Sequence, residues 1–122
     1  NELRIGNLVD LGNRIAKVTE IYPLACMVAD LEQTQDTLES YERVTGIPLT
    51  EEWLLKFGFR KDGMYYENAH LQLSKIISKN GYDCYCTDLD FSVFMTELEH
   101  IHQLQNLYFA LTGEELTLND KI

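Results

Sequence analysis

Ile47-Pro48-Leu49-Thr50-Glu51-Glu52-Trp53-Leu54-Leu55-Lys56-Phe57-Gly58-Phe59 divides the chain. The Thr50 hydroxyl can cap the free amides of a first helical turn. Glu51 and Glu52 sit where the helix dipole favours negative charge. Trp53, Leu54 and Phe57 form an apolar stripe at helical spacing. Gly58 suits the position just beyond the last turn. A two-turn helix is therefore predicted over 50–57. Most of the chain on either side reads as strand, which decides the class as α+β.

Toward the N-terminus, Leu3, Ile5 and Val9 flank Gly6-Asn7 and read as a first strand. Leu11-Gly12-Asn13 supplies a turn. Arg14 to Ile21 is rich in β-branched residues with partial alternation. Pro23 breaks that run, and Leu24 to Ala29 forms a third short apolar run. Asp30 to Ser40 is polar and reads as a turn or exposed hairpin, and Tyr41 to Thr45 as a strand that returns. Short strands with tight turns must hide their edges. An SH3-like small β-barrel, or a bent antiparallel sheet, is the expected form of residues 1–45.

Toward the C-terminus, Phe59 to Tyr66 reads as strand, Asp62-Gly63 turn, strand. Leu71 to Ile77 is a strand with Leu71, Leu73 and Lys75 on one face. Lys79-Asn80-Gly81 turns the chain. Tyr82 to Thr87 and Phe91 to Leu98 complete a meander. Ile101, Leu104, Leu107, Tyr108 and Leu111 recur at helical spacing, with Gln103, Gln105 and Asn106 on other faces and Gly113 as terminator. Residues 46–122 thus read as helix, meander, helix, packed with 1–45 as a single domain 1–122.

The 122 residues carry a formal net charge of −10. The acid is even: eight acids and four bases in 1–49, twelve and six in 50–122. Such a chain is a poor general binder of phosphate backbones. The acidity reads as a solvated surface that can also meet a basic partner. No apolar run reaches membrane-spanning length, and Asn1 to Ile5 lacks the pattern of a secretory leader. A cytoplasmic location without membrane contact is expected.

Candidate chemistry is sparse. Cys26, Cys84 and Cys86 give an odd count without framework spacing, the pattern of reduced thiols. His100 and His102 point about 200° apart if helical and share a face if extended. His70 stands alone. Asp83, Asp88 and Asp90 form a carboxylate cluster whose metal-binding or acid/base use would need further ligands and a cleft; a solvated loop is the simpler reading. Trp53, Arg60, Lys61, Tyr65 and Tyr66 form a local basic and aromatic patch able to receive a phosphate or a base. No phosphate loop, nucleophile elbow or zinc signature occurs, so no catalytic residue and no cofactor is expected.

Three stretches, Glu2-Leu3-Arg4-Ile5-Gly6-Asn7-Leu8-Val9, Ile47 to Phe59, and His102 to Leu116, together resemble a family of small uncharacterised proteins of Bacteroidota and their phages or prophages. The resemblance implies a cytoplasmic, phage-linked setting. It carries no activity and so no functional residues. The resulting expectation is a non-enzymatic binding protein with a protein partner or self-association. The alternatives are a small-ligand protein that sequesters a nucleotide signal in phage anti-defence, and a metal-dependent enzyme on the acidic cluster.

Overall fold

The computed structural model describes residues 3–12, 14–31, 36–87 and 93–118. Strands β1 (Leu8–Asp10), β2 (Ile15–Ile21), β3 (Ala25–Asp30) and β4 (Asp36–Ser40) form one antiparallel sheet in chain order. A 3-10 turn, Tyr41–Arg43, leads to helix α1 (Glu51–Lys56). Strands β5 (Arg60–Asp62), β6 (Tyr65–Glu67), β7 (Leu71–Lys75), β8 (Tyr82–Cys86) and β9 (Val93–Leu98) form a second antiparallel meander, and helix α2 (Ile101–Thr112) follows. The class is α+β, dominated by strand.

The first sheet is not a closed barrel. Tyr41–Arg43 winds a 3-10 turn instead of the expected returning strand. The chain meets β1 again only at Thr45, whose amide and carbonyl each bond Asp10 at 2.9 Å. Residue Thr19 is an extra residue in β2, between the pairs Val18–Val28 and Glu20–Met27, and such a bulge bends a strand. Asp36–Ser40, expected within a turn or exposed hairpin, is a full edge strand. Residues 3–7 are a turn, not a strand. The Asn7 amide bonds the Arg4 carbonyl at 3.0 Å, and Gly6 takes φ 98°, a value any side chain would strain.

Strand β1 sends its side chains to two cores, as period-two alternation demands. Val9 joins Leu11, Ala16, Val18, Cys26 and Val28 inside the first sheet. Leu8 points the other way, into the larger core. There Leu54 and Phe57 of the α1 segment and Ile101 and Leu104 of α2 lie on Leu71, Leu73, Tyr82 and Cys84 of the second sheet.

Helix α1 starts as the sequence predicts. The Trp53 amide donates to Thr50 Oγ1 at 3.4 Å. In α2 the cap comes from Gln103, whose Oε1 accepts from the Glu99 and His100 amides at 2.8 and 2.9 Å. Leu111 proves exposed, and Gln105, expected on an outer face, is buried. The reason is the Arg4–Asn7 turn, which docks on α2. Gln105 Oε1 accepts from the Leu8 amide at 2.8 Å, and its Nε2 donates to the Gly6 carbonyl at 3.2 Å. Buried Asn7 donates to Asn106 Oδ1 at 2.8 Å. Arg4 bonds Asn106 and Glu115 and lies 4.4 Å from the Phe109 ring centroid.

The joint can be tested from both of its ends. Gln105→Leu leaves the Leu8 amide without its buried acceptor, so urea unfolding should show a loss of about 1–3 kcal/mol. The Arg4 hydrogen bond and charge hold the Glu115 carboxyl below its usual 4.5. The native state then binds fewer protons than the unfolded chain. The corresponding stability is present above the usual carboxylate pKa and fades as pH falls through the depressed value. Melting temperatures of Glu115→Gln should therefore fall less steeply than wild type between about pH 5 and pH 3, near the usual Glu range.

Candidate functional site

Alternation along β5 and β6 distributes the basic and aromatic patch over two faces. Lys61 pairs with Tyr66, Arg60 with Glu67 and Asp62 with Tyr65 across the hairpin. Lys61 and Tyr66 therefore face the core side, where α1 lies, and Arg60 and Tyr65 face outward. Tyr66 is buried, with its ring edge-on to Tyr82 at 6.0 Å. Trp53 is half-buried, 6.1 Å from Phe57, with Lys56 Nζ at 5.0 Å.

The cations of the patch are already matched. Lys61 Nζ meets Glu51 at 3.2 Å, and that hydrogen bond and charge raise the lysine pKa above its ordinary value. Lys56 meets Glu52 at 3.1 Å, and Arg60 meets Glu67 at 3.3 Å. Beside them, a cleft of about 460 Å³ opens between the start of α1 and the β7–β8 turn. Glu51, Lys75, Tyr82, Glu99 and His100 are among its lining. Among the described residues no carboxylate lies within ion-pair distance of Lys75, which reaches the carbonyls of Ile76 and Lys79 at 3.5 and 3.4 Å.

The remaining sequence candidates are dispersed. Asp83 lies on the outer face of β8, and Asp88 and Asp90 lie outside the described residues. Among the described residues no group of three or more His, Cys, Asp or Glu is placed to hold a metal ion. His70 packs edge-on against Tyr108 at 5.8 Å. His100 and His102, whose relation depended on local geometry, stack at 5.6 Å because His100 is still extended when α2 begins. Their rings cover Gly46, where a Cβ would stand 2.7 Å from the His100 ring.

The outer face of the second sheet carries a set that the sequence did not reveal as one. Strand register aligns Arg60, Glu67, Gln72, Tyr85 and Phe94 in one row. Asp62, Tyr65, Ser74, Asp83 and Glu97 form the next row. None of these residues belongs to either core cluster. Phe94 is 52% exposed and Tyr65 44%, and Tyr85 and Phe94 meet edge-on at 5.6 Å. The period-two pattern of Tyr82 to Cys86 hints at this face. The partnership of Tyr85 with Phe94 does not, because it depends on the extra residue Met95 in β9. No helix among the described residues is long and apolar enough to cross a membrane.

Searches against protein-family models, curated proteins and solved structures found no match to this chain.

Cys84 and Cys86 are both free thiols two positions apart on β8, yet they should react differently. Burial, with a smaller contribution from Cys86, pushes the Cys84 thiol up to about 12. Thiolate is the nucleophile. Alkylation of the native protein at pH 8, followed by peptide mapping, should label half-buried Cys86 well before Cys84. Equal labelling would show that β8 opens readily.

Proposed function

We propose that this protein is a non-enzymatic binding domain that acts through protein contacts on the outer face of its second sheet. The observation that carries the reading is exposed Phe94, edge-on to half-buried Tyr85, with exposed Tyr65, on a sheet face outside both cores. Exposed apolar and aromatic patches rimmed by polar groups mark interaction sites. Arg60, Tyr65 and Asp83 belong to this face, and Trp53, Lys61 and Tyr66 serve the packing of α1 behind it.

We read residues 3–45 as an open SH3-like small barrel. A four-strand meander, a 3-10 turn and a return to β1 at Thr45 support this. A phage-linked cytoplasmic setting rests on the family resemblance.

One observation favours a second reading, a protein that sequesters a small anionic ligand such as a nucleotide. It is the cleft in which Lys75 stands beside the Tyr82 ring, 5.6 Å from its centroid. Glu51 and Glu99 in the same cleft oppose an anion, which ranks this reading below the first.

Purified protein should show no turnover on a panel of hydrolase and transferase substrates. Turnover on any of them would overturn the proposal. A thermal shift with cyclic or linear nucleotides that disappears in Lys75→Ala would favour the second reading. The outer face should also be dispensable for folding. Phe94→Ser, which removes the edge-on contact with Tyr85, is expected to cost no more than about 1 kcal/mol. Asp83→Thr, which removes a like-charge pair with Glu97, should raise it by about 0.2–1 kcal/mol in urea unfolding.

A further inference from the structure

The outer face is acidic as well as aromatic, and the charge identifies what it takes. Asp83 stands directly opposite Glu97, and like charges so opposed weaken a sheet. Lys79, in the turn before β8, reaches Glu97 at 2.6 Å. Asp62 and Glu67 add two more carboxylates, and among the described residues Arg60 is the only cation in the two rows, already held by Glu67. A surface arranged for folding alone would have alternated the signs.

Taking this face as the binding surface, as the proposed function does, we infer that the occupant is an extended protein segment bearing Lys or Arg, laid across the strands. Its cations meet Asp62 at one end and Asp83 with Glu97 at the other, and its aliphatic stems cover Tyr65, Tyr85 and Phe94. The spacing fits. Neighbouring strands lie about 4.8 Å apart, so Asp83, three strands from Asp62, is about 14 Å away. An extended chain rises about 3.3 Å per residue and repeats a face every second residue, so positions i and i+4 stand about 13 Å apart on one side. Aromatic faces attract ammonium and guanidinium groups and accept their methylene stems.

Other occupants fit less well. A second copy would bring two such faces together from chains of net charge −10, which repel. The Met95 bulge interrupts the β9 edge, a device that blunts edge-to-edge pairing. Nucleic acid would set phosphates against these carboxylates.

Peptides of equal length alternating Thr with Lys, with Glu or with Ser are titrated into the isotope-labelled full chain and followed by amide shifts. The Lys peptide should perturb β6 to β9 and bind at least about tenfold tighter than the Glu peptide at low salt. That advantage should shrink as salt shortens the Debye length from about 10 Å toward 3 Å. Asp83→Lys replaces a like-charged cross-strand pair by an opposite one. It should melt no lower than wild type yet lose at least about tenfold of Lys-peptide affinity.

If all three peptides bind this face equally, the basic-partner inference falls and the binding face stands. If the Lys peptide perturbs residues elsewhere, the inference falls. If no peptide perturbs the face, both the inference and the reading beneath it fall.

Discussion

The architecture depends on one polar joint, the turn Arg4–Asn7 seated on α2. The first sheet is held to the second half of the molecule by few elements. Leu8 enters the larger core, and the buried Asn7 and Gln105 supply directional bonds beside it. Burial of an amide side chain is costly unless its groups are matched. Here Asn7 Oδ1 accepts from the Arg4 amide at 2.7 Å while Gln105 satisfies both Leu8 and Gly6. The network therefore accepts one docking position and resists sliding. Apolar contacts alone would fix the joint less tightly, because they are not directional.

That joint also explains why two distant sequence stretches go together. Arg4, Gly6 and Asn7 come from the first, and Gln105, Asn106 and Glu115 from the last. Their side chains and backbone groups interlock across about a hundred positions of chain. The α1 segment adds Leu54 and Phe57, which fill the core beneath. These stretches are thus accounted for by architecture, and they lie apart from the outer sheet face.

What could be read from the sequence was local. Thr50, the Trp53–Leu54–Phe57 stripe and the turns at Gly63 and Gly81 carry their own signals, and the helix and hairpins formed where those signals lie. What could not be read depended on partners far along the chain. The Leu3–Asn7 stretch looks like a strand until it turns onto α2, where Gln105 takes the Gly6 carbonyl and the Leu8 amide. Gln105 looks like a surface residue until the turn docks on it. Barrel closure was an inference about edges, and the edge at β1 was met by a single bridge at Thr45 instead of a strand. Trp53, Arg60, Lys61, Tyr65 and Tyr66 are near neighbours in sequence, whereas a sheet sorts neighbours onto opposite faces. Period two alone would have separated Lys61 and Tyr66 from Arg60 and Tyr65. It would not have brought Tyr85 to Phe94, because the intervening bulge resets the register.

The two faces of the second sheet obey different demands. On the inner face, Leu71, Leu73 and Cys84 are wholly buried, and each is the residue type that close packing wants. On the outer face, Asp83 opposite Glu97 works against the sheet, and half-exposed Phe94 leaves apolar surface in water. The opposed charges do not follow from folding, which would favour Thr or mixed charges there, and the contact of Phe94 with Tyr85 suits a strand but still leaves half the Phe94 side chain in water. Lys79 softens the conflict at Glu97 but comes from the turn, outside the two rows. When local choices that disagree with the fold cluster on one exposed face, a use outside the fold is their simplest cause. A cationic chain laid on that face would neutralise the opposed carboxylates and cover the aromatic rings, removing both conflicts at once.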